Sequence, residues 1–250
     1  HFEDEIFAMG LKWLREFVPL YKEKVDLPFI AYIYPSRSID EILHLLNAAG
    51  LERCCLALES GSEYISKKVF DRVYDRELFL KTARICKELD IKFYTDVITF
   101  NPYEEEEDLK MTFDVLAEIG GGFDMAINKL FVLPGTILAE KMQAEGKAEN
   151  TPERDKMFEY YTRLFWITSF TRHGKSVAKA LDAMKVFRKK PELLNPVWVE
   201  AIVNPGSRAR GLAHELLPTT VVNSLQARRS RNRARKAARL VAETPTPGCR

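Results

Sequence analysis

A chain of 250 residues, 46% of them apolar, is long enough to bury a full core and is expected to form one or two domains. No apolar run reaches membrane-spanning length and no signal-peptide pattern opens the chain, so neither a membrane span nor export is indicated. The formal charge of +2 hides an uneven split: Asn204 to Arg250 holds ten Lys/Arg, nine of them Arg, against two Asp/Glu, which leaves a mildly acidic body and a strongly basic tail. The four cysteines, Cys54, Cys55, Cys86 and Cys249, make no disulfide framework. Cys54 and Cys55 would point to opposite faces of a strand, so they read as buried small hydrophobes in a reducing, cytoplasmic setting.

Taken in order, Phe2-Glu3-Asp4-Glu5-Ile6-Phe7 is acidic and reads as the end of a strand. Its carboxylates suit either a pocket or a solvated helix N-terminus. The chain opens on His1 rather than Met, mid-motif, which suggests a fragment. Leu11, Leu14 and Val18 stand at helical spacing and predict a helix over about 9–24. Pro28 to Tyr34 is a short apolar and aromatic strand. Ser38 is expected to cap a helix whose buried stripe is Ile39, Ile42, Leu43 and Leu46, and Gly50 to end it. The run Cys54 to Leu58 suits a strand of a parallel sheet, buried on both faces, and it ends abruptly in Glu59-Ser60-Gly61-Ser62.

A polar connection containing Arg72 follows, then a helix over 76–89 that buries Leu78, Ile85, Cys86 and Leu89 or a similar subset. Residues 91–100 are rich in β-branched and aromatic side chains and predict a strand, which Pro102 breaks. Glu104 to Asp108 form the acidic first turn of a helix carrying Leu109, Phe113 and Leu116 inward. Matching to the helix dipole accounts for most of that run; Glu104, nearest the strand, is the exception. Gly120-Gly121-Gly122 is a flexible turn without a phosphate-loop pattern around it. Met125 to Leu133 predicts a further strand, ended by Pro134-Gly135-Thr136, and a helix runs on to about Glu145.

Strands near 28, 53, 92 and 125 are spaced as βα units with right-handed crossovers. Pattern alone does not separate an open doubly wound sheet from a barrel or part of one. From Thr151-Pro152 the grammar changes to helix after helix. Met157, Tyr160, Tyr161, Leu164, Phe165 and Ile167 suit one buried helix and Val177 to Phe187 another, with His173 between them as a loop or packed histidine rather than a ligand. The expected organisation is 1–147 as the α/β body, 148–203 as a helical extension and 204–250 as an Arg-rich tail. Arg228 to Lys236 could touch nucleic acid through counterion release; a disordered arm, or a terminal segment read out of its natural frame, is the alternative.

Strand ends are where α/β enzymes place their chemistry. Serine hydrolysis at Ser60 fails, because the nucleophile elbow needs Gly-x-Ser-x-Gly and Leu58 and Ser62 occupy both glycine places. A zinc site fails for want of ligands at suitable spacing. What remains is a pocket for a polar, partly aromatic small molecule. Glu59 could accept from ribose hydroxyls, Ser60 could bond either way, Arg72 could hold a carboxylate bidentately, and Ile98 could supply an apolar wall.

At these residues the sequence resembles the radical S-adenosylmethionine enzymes, in particular those carrying an upstream cobalamin-binding domain. Phe2 to Phe7 looks like the acidic end of the family's second strand, and Leu56 to Ser62 with Lys67, Lys68 and Arg72 like its fourth strand and the segment after it. Asp96-Val97-Ile98-Thr99-Phe100-Asn101-Pro102-Tyr103-Glu104 is similar to the fifth-strand adenosylmethionine motif, and Val132-Leu133-Pro134-Gly135-Thr136 to the sixth-strand turn. The resemblance implies a partial (β/α)6 TIM-like barrel followed by a helical appendage, and reductive cleavage of adenosylmethionine. By that resemblance Glu59, Ser60 and Arg72 bind the ribose and methionine parts. Ile98 and the backbone near Leu133 hold the adenine, and Asp96 and Glu104 belong to the fifth-strand part of the same cofactor site.

The implied cofactors are adenosylmethionine, a [4Fe–4S] cluster and, through the upstream domain, cobalamin, with methyl transfer as one outcome. A small-molecule substrate and an electron donor such as flavodoxin or ferredoxin are the implied partners. Phe100 and Tyr103 stand where the fifth-strand motif usually has glycines, so a bulkier wall is expected. The Cys-x-x-x-Cys-x-x-Cys that ligates the cluster is absent, so this polypeptide by itself should not assemble one; the family places that motif on its first strand and this chain begins near the end of the second, so truncation would account for that. Two other classes stay open: a nucleoside-binding barrel without redox chemistry, and a scaffold whose basic tail binds nucleic acid.

Overall fold

A computed structural model describes residues 1–8, 10–147, 151–170 and 173–203. The basic run 228–236 and Cys249 lie outside the described residues. The chain is α/β, with the parallel strands β1 (Phe29–Tyr32), β2 (Leu51–Cys55), β3 (Lys92–Thr99) and β4 (Asp124–Lys129) in the sheet order β1-β2-β3-β4. Between and after them come α1 (Leu11–Lys24), α2 (Ile39–Ala49), α3 (Arg76–Glu88), α4 (Glu106–Ile119) and α5 (Ile137–Ala144). The helical extension contains α6 (Pro152–Ser169), α7 (Gly174–Asp182), α8 (Lys185–Lys189) and α9 (Pro196–Val203). Four parallel strands with intervening helices are consistent with part of a barrel; six strands are not found among the described residues. No helix among the described residues is long and apolar enough to cross a membrane.

The chain divides into two compact units, and the first comprises His1–Cys55 with Lys81–Phe93. The α2 stripe is buried as its spacing dictates: Ile39, Ile42, Leu43 and Leu46 are all in the core. Gly50 ends that helix in the left-handed region at φ 112°, where a side chain would be strained. Ser38 stands at the N-cap, but its φ and ψ of −91° and 12° depart from the extended capping conformation and its hydroxyl caps nothing. Residues 2–7 are not a regular strand. They follow β1 through only two bonds, Phe2 N–H to the Ile30 carbonyl (2.9 Å) and Phe7 N–H to the Tyr32 carbonyl (3.2 Å), while Phe2 and Phe7 pack on Phe29. Glu3, Asp4 and Glu5 are exposed to solvent. Cys54 and Cys86 are fully buried, their sulfurs 3.8 Å apart, and Cys55 is buried as well.

The second unit comprises Leu56–Leu80 with Tyr94–Pro205. Beyond β2 the chain continues alongside β3: Leu56 and Leu58 donate to the carbonyls of Tyr94 (2.9 Å) and Asp96 (3.2 Å). β3 and β4 pair in parallel with Val97 opposite Ile127. β4 stops at Lys129, earlier than the apolar run to Leu133 suggests. Helix α4 buries Leu109, Phe113 and Leu116, and a reciprocal capping box between Glu105 and Asp108 satisfies its first amides. Helix α6 packs on α4 and β4 and buries Phe158, Tyr161, Leu164 and Phe165. The expected helix 177–187 is two helices, α7 and α8, broken at Ala183 and Met184, where Met184 turns extended. Gly120, Gly121 and Gly122 all have positive φ, and a Cβ on Gly121 would fall 2.1 Å from the Phe170 carbonyl oxygen. The triple glycine therefore lets two backbones meet.

Candidate functional site

The site lies within the second unit, where the continuation of β2 ends beside β3. Alternation defines its two faces. Leu56, Leu58 and Ser60 are buried, while Ala57 is exposed and Glu59 half-buried; on β3, Thr95, Val97 and Thr99 are buried, while Asp96 and Ile98 are half-buried. Asp96 and Ile98 thus lie on the more open face of β3, while Glu59, which bridges Val97, breaks the alternation. Glu59 is stitched directly to β3, its N–H donating to the Asp96 carbonyl (2.7 Å) and its carbonyl accepting from Ile98 N–H (2.9 Å). Leu58 and Glu59 N–H share the Asp96 carbonyl, as in a β-bulge, and a bulge re-aims the side chain it carries.

The backbone at Glu59 is strained. Its φ is 59°, and Ser60 N–H closes a three-residue turn onto the Leu58 carbonyl at 2.7 Å. A non-glycine residue in this region costs roughly 1–2 kcal/mol. Such strain, at a strand end and on a carboxylate, marks a functional candidate. The Glu59 side chain is 14% exposed and pairs with the Arg72 guanidinium, Nε to Oε2, at 3.0 Å. Burial pushes the Glu59 carboxyl above its ordinary range; Arg72 opposes that shift and the neighbouring Asp96 adds to it. Arg72 itself is largely exposed, so its fork remains available to a second anion.

Arg72 reaches this place by an unusual local path. Residues Ile65–Val69 form a π-helical turn, Phe70 N–H bonds the Ile65 carbonyl (3.0 Å) and Arg72 N–H bonds the Ser66 carbonyl (2.8 Å). The wider turn accommodates an extra residue and is often found at functional sites.

Ser60 and Glu104 occupy a different position from Glu59. Ser60 is fully buried: its hydroxyl donates to the Glu104 carboxylate, accepts from Ser62 N–H (3.2 Å) and lies 3.5 Å from Thr112 Oγ1. Glu104 is 1% exposed, and its Oε2 has no partner. Burial, with Asp108 nearby, raises its carboxyl well above the ordinary range; Arg154 and the Ser60 hydroxyl offset this in part. The other acids of the run, Glu105, Glu106 and Glu107, are exposed, as expected of a dipole-matched first turn. Ser60 and Glu104 therefore form a support behind the tip rather than its open face. Gly61 makes the docking possible: its N–H donates to Thr112 Oγ1 at 2.8 Å, and a Cβ there would lie 2.6 Å from Thr112 Cα.

The remaining positions singled out by the sequence lie on the turns after β3 and β4. Leu133 is exposed, and its carbonyl accepts from Thr136 Oγ1 at 2.8 Å; the Thr136 hydroxyl in turn caps α5. Phe100 adopts φ 60°, a left-handed conformation that a glycine would hold without strain. Its ring is retained by stacking on Phe158 (4.9 Å) and by Lys129 Nζ 4.0 Å from its centre. Tyr103 is buried and packs inward instead of widening the wall. Sequence reading missed Arg154, which grips the turn before α4: it bonds both oxygens of Glu105 at 3.0 Å and the carbonyl of Glu104 at 2.6 Å. Its separation of about fifty residues from that turn leaves no periodic signal. Among the described residues no cluster of His, Cys, Asp or Glu could hold a metal ion.

No family model and no curated protein sequence matches the chain. Its fold is similar to that of coproporphyrinogen III oxidase (HemN) from Escherichia coli, a radical SAM enzyme, with a TM-score of 0.51 and 16% identity over 63% of this chain and 37% of that one. TsrM from Kitasatospora setae, a radical S-adenosylmethionine methyltransferase, is similar in two structures, one with tryptophan and aza-SAM and one with cobalamin and a [4Fe–4S] cluster. They cover 54% and 57% of this chain and 27% of theirs, each at 21% identity, with TM-scores of 0.45 and 0.46. The chain spans little more than a third of the length of HemN.

Proposed function

We propose that this chain is part of a radical S-adenosylmethionine enzyme and that the ends of β2 and β3 bind adenosylmethionine. The observation that carries the reading is Glu59: a half-buried carboxylate in a strained turn, paired with an exposed Arg72 and close enough to Asp96 to feel its charge. The radical-SAM-like fold supports it. In this reading Glu59 accepts from ribose hydroxyls, the Arg72 fork takes the amino-acid carboxylate, Asp96 serves polar atoms of the same ligand, and Ile98 with the backbone near Leu133 walls the adenine. Ser60 and Glu104 hold the tip from behind. Residues 1–147 form the barrel part and 148–203 the extension.

Adenosylmethionine supplies radical chemistry on reductive cleavage. The cluster needed for that cleavage does not fit the residues present, because the described cysteines are buried and no ligand set exists among the described residues. The proposal therefore assigns reduction, and an electron donor such as flavodoxin or ferredoxin, to the enzyme beyond these residues. Cobalamin and methyl transfer rest on the sequence motifs alone. The missing ligand set also favours a second reading, a nucleoside-binding barrel without redox chemistry.

Calorimetric titration with adenosylmethionine tests the site. Glu59→Ala and Arg72→Met are each expected to weaken binding about tenfold, a loss of about 1.4 kcal/mol. Absence of binding by the unaltered chain, or equal affinity in all three proteins, would refute the proposal.

A further inference from the structure

We propose that Arg154 is a positioning residue: from α6 it clamps the turn Pro102–Glu105 and thereby fixes the Glu104–Ser60 support beneath the Glu59 tip. The guanidinium is largely buried, at 24% side-chain exposure, and all its described polar contacts go to one short turn. Nη1 bonds both carboxylate oxygens of Glu105 at 3.0 Å. Nη2 bonds the carbonyl of Glu104 at 2.6 Å and reaches that of Pro102 at 3.4 Å. One planar fork thus holds the backbone on either side of Tyr103, a geometry that a lysine point charge cannot reproduce.

The clamp matters because of what the turn carries. Glu104 projects into the core, where it accepts from the Ser60 hydroxyl; Ser60 in turn accepts from Ser62 N–H, and Gly61 N–H bonds Thr112. The turn is shaped from within by Glu104 N–H to the Asn101 carbonyl and Tyr103 N–H to Asn101 Oδ1, both 3.0 Å, and Ser66 Oγ bonds the Ser60 carbonyl at 3.2 Å. Glu104 Oε2 and Asn101 Nδ2 are nevertheless buried without partners, so the link from turn to tip has bonding capacity unused and depends on Arg154 holding the turn from outside. Arg154 is itself fixed at the start of α6, where its N–H is capped by Thr151 Oγ1 at 3.4 Å and its guanidinium lies 5.8 Å from the Phe158 ring. Through this chain of contacts the helical extension sets the geometry of a strand end nearly a hundred residues earlier. Its consequence for ligand affinity rests on the adenosylmethionine reading; the mechanical claim does not.

Amide hydrogen exchange on the full chain separates the two. In Arg154→Met, which keeps the apolar stem, exchange at Gly61 and Ser62 is expected to accelerate about tenfold while the amides of Leu164 and Phe165 in α6 stay as protected as before. Adenosylmethionine affinity should fall about tenfold in parallel. Unchanged exchange at Gly61 and Ser62, or equal acceleration throughout α6, overturns the clamp. Accelerated exchange without any adenosylmethionine binding by the parent chain upholds the clamp and removes the ligand reading alone. Should Arg154→Met fail to fold, Arg154→Lys reads the same amides: an acceleration of about threefold is expected, and none overturns the proposal.

Discussion

Replacing Gly61 with alanine adds one methyl group at the most crowded backbone contact of the candidate site. That Cβ would stand 2.6 Å from Thr112 Cα, 2.8 Å from Thr112 N and 2.9 Å from the Met111 carbonyl oxygen. All three are backbone atoms of α4, which is pinned by buried Leu109, Phe113 and Leu116. The helix cannot give way, so the turn 59–62 must lift. Lifting it lengthens the 2.8 Å bond from Gly61 N–H to Thr112 Oγ1 and disturbs Ser60, which is fully buried. Overpacking of this kind costs about 1–3 kcal/mol and a lost buried hydrogen bond about 1 kcal/mol, so a loss of about 2–4 kcal/mol is expected. Urea denaturation followed by circular dichroism measures it as a lower midpoint at unchanged slope. Gly10→Ala is the control, since nothing lies within 4 Å of its added Cβ, and the lost cap preference should cost only about 0.7 kcal/mol. A loss below about 1 kcal/mol at Gly61 would refute the docking of the tip on α4.

Three further expectations follow from the same geometry. At Phe100, where φ is 60°, Phe100→Gly should be more stable than Phe100→Ala by about 1 kcal/mol, because both lose the ring contacts but only glycine relieves the strain; the reverse order in thermal unfolding would contradict this. The Glu104 carboxyl is raised, so the folded state binds its proton more tightly than the unfolded chain. Stability should therefore fall as pH rises from the ordinary carboxylate range through the raised value, and Glu104→Gln should flatten that slope; a steeper loss for the glutamine variant at high pH would show Glu104 to be a well-paired anion. Removing Arg72 takes away the cation that opposes the rise at Glu59, so in Arg72→Met the Glu59 carboxyl should titrate higher still by carbon-detected NMR, and an unchanged or lower midpoint would count against the pair.

Much of the body was legible because burial leaves a periodic trace. The stripe Ile39, Ile42, Leu43 and Leu46 and the set Leu109, Phe113 and Leu116 are all in the core. The exception made for Glu104 also holds, since it alone of the five acids is buried in full. Hydrogen-bond partners leave no such trace. Ser38 has the right residue type for a cap, yet its backbone departs from the conformation that would let its hydroxyl reach the helix. Ser60 reads as a polar tip, but Gly61 lets the turn sink against α4 and takes the hydroxyl out of reach of solvent. The π-turn that delivers Arg72 and the Arg154 grip on Glu104 depend on backbone path and on contacts across some fifty residues, which spacing along the chain does not encode. Glu59 was identifiable by its place at the end of an apolar run; its positive φ was not.

If the proposed function holds, adenosylmethionine binds where the continuation of β2 meets β3. The most direct measurement is a titration of the isotopically labelled chain with adenosylmethionine, followed amide by amide in nitrogen–proton NMR spectra. Saturable shifts are expected at Glu59 and Ile98, whose N–H groups tie the strand end together, with the amides of α2 unmoved. An absence of shifts at millimolar ligand, or shifts confined to residues elsewhere, would contradict it.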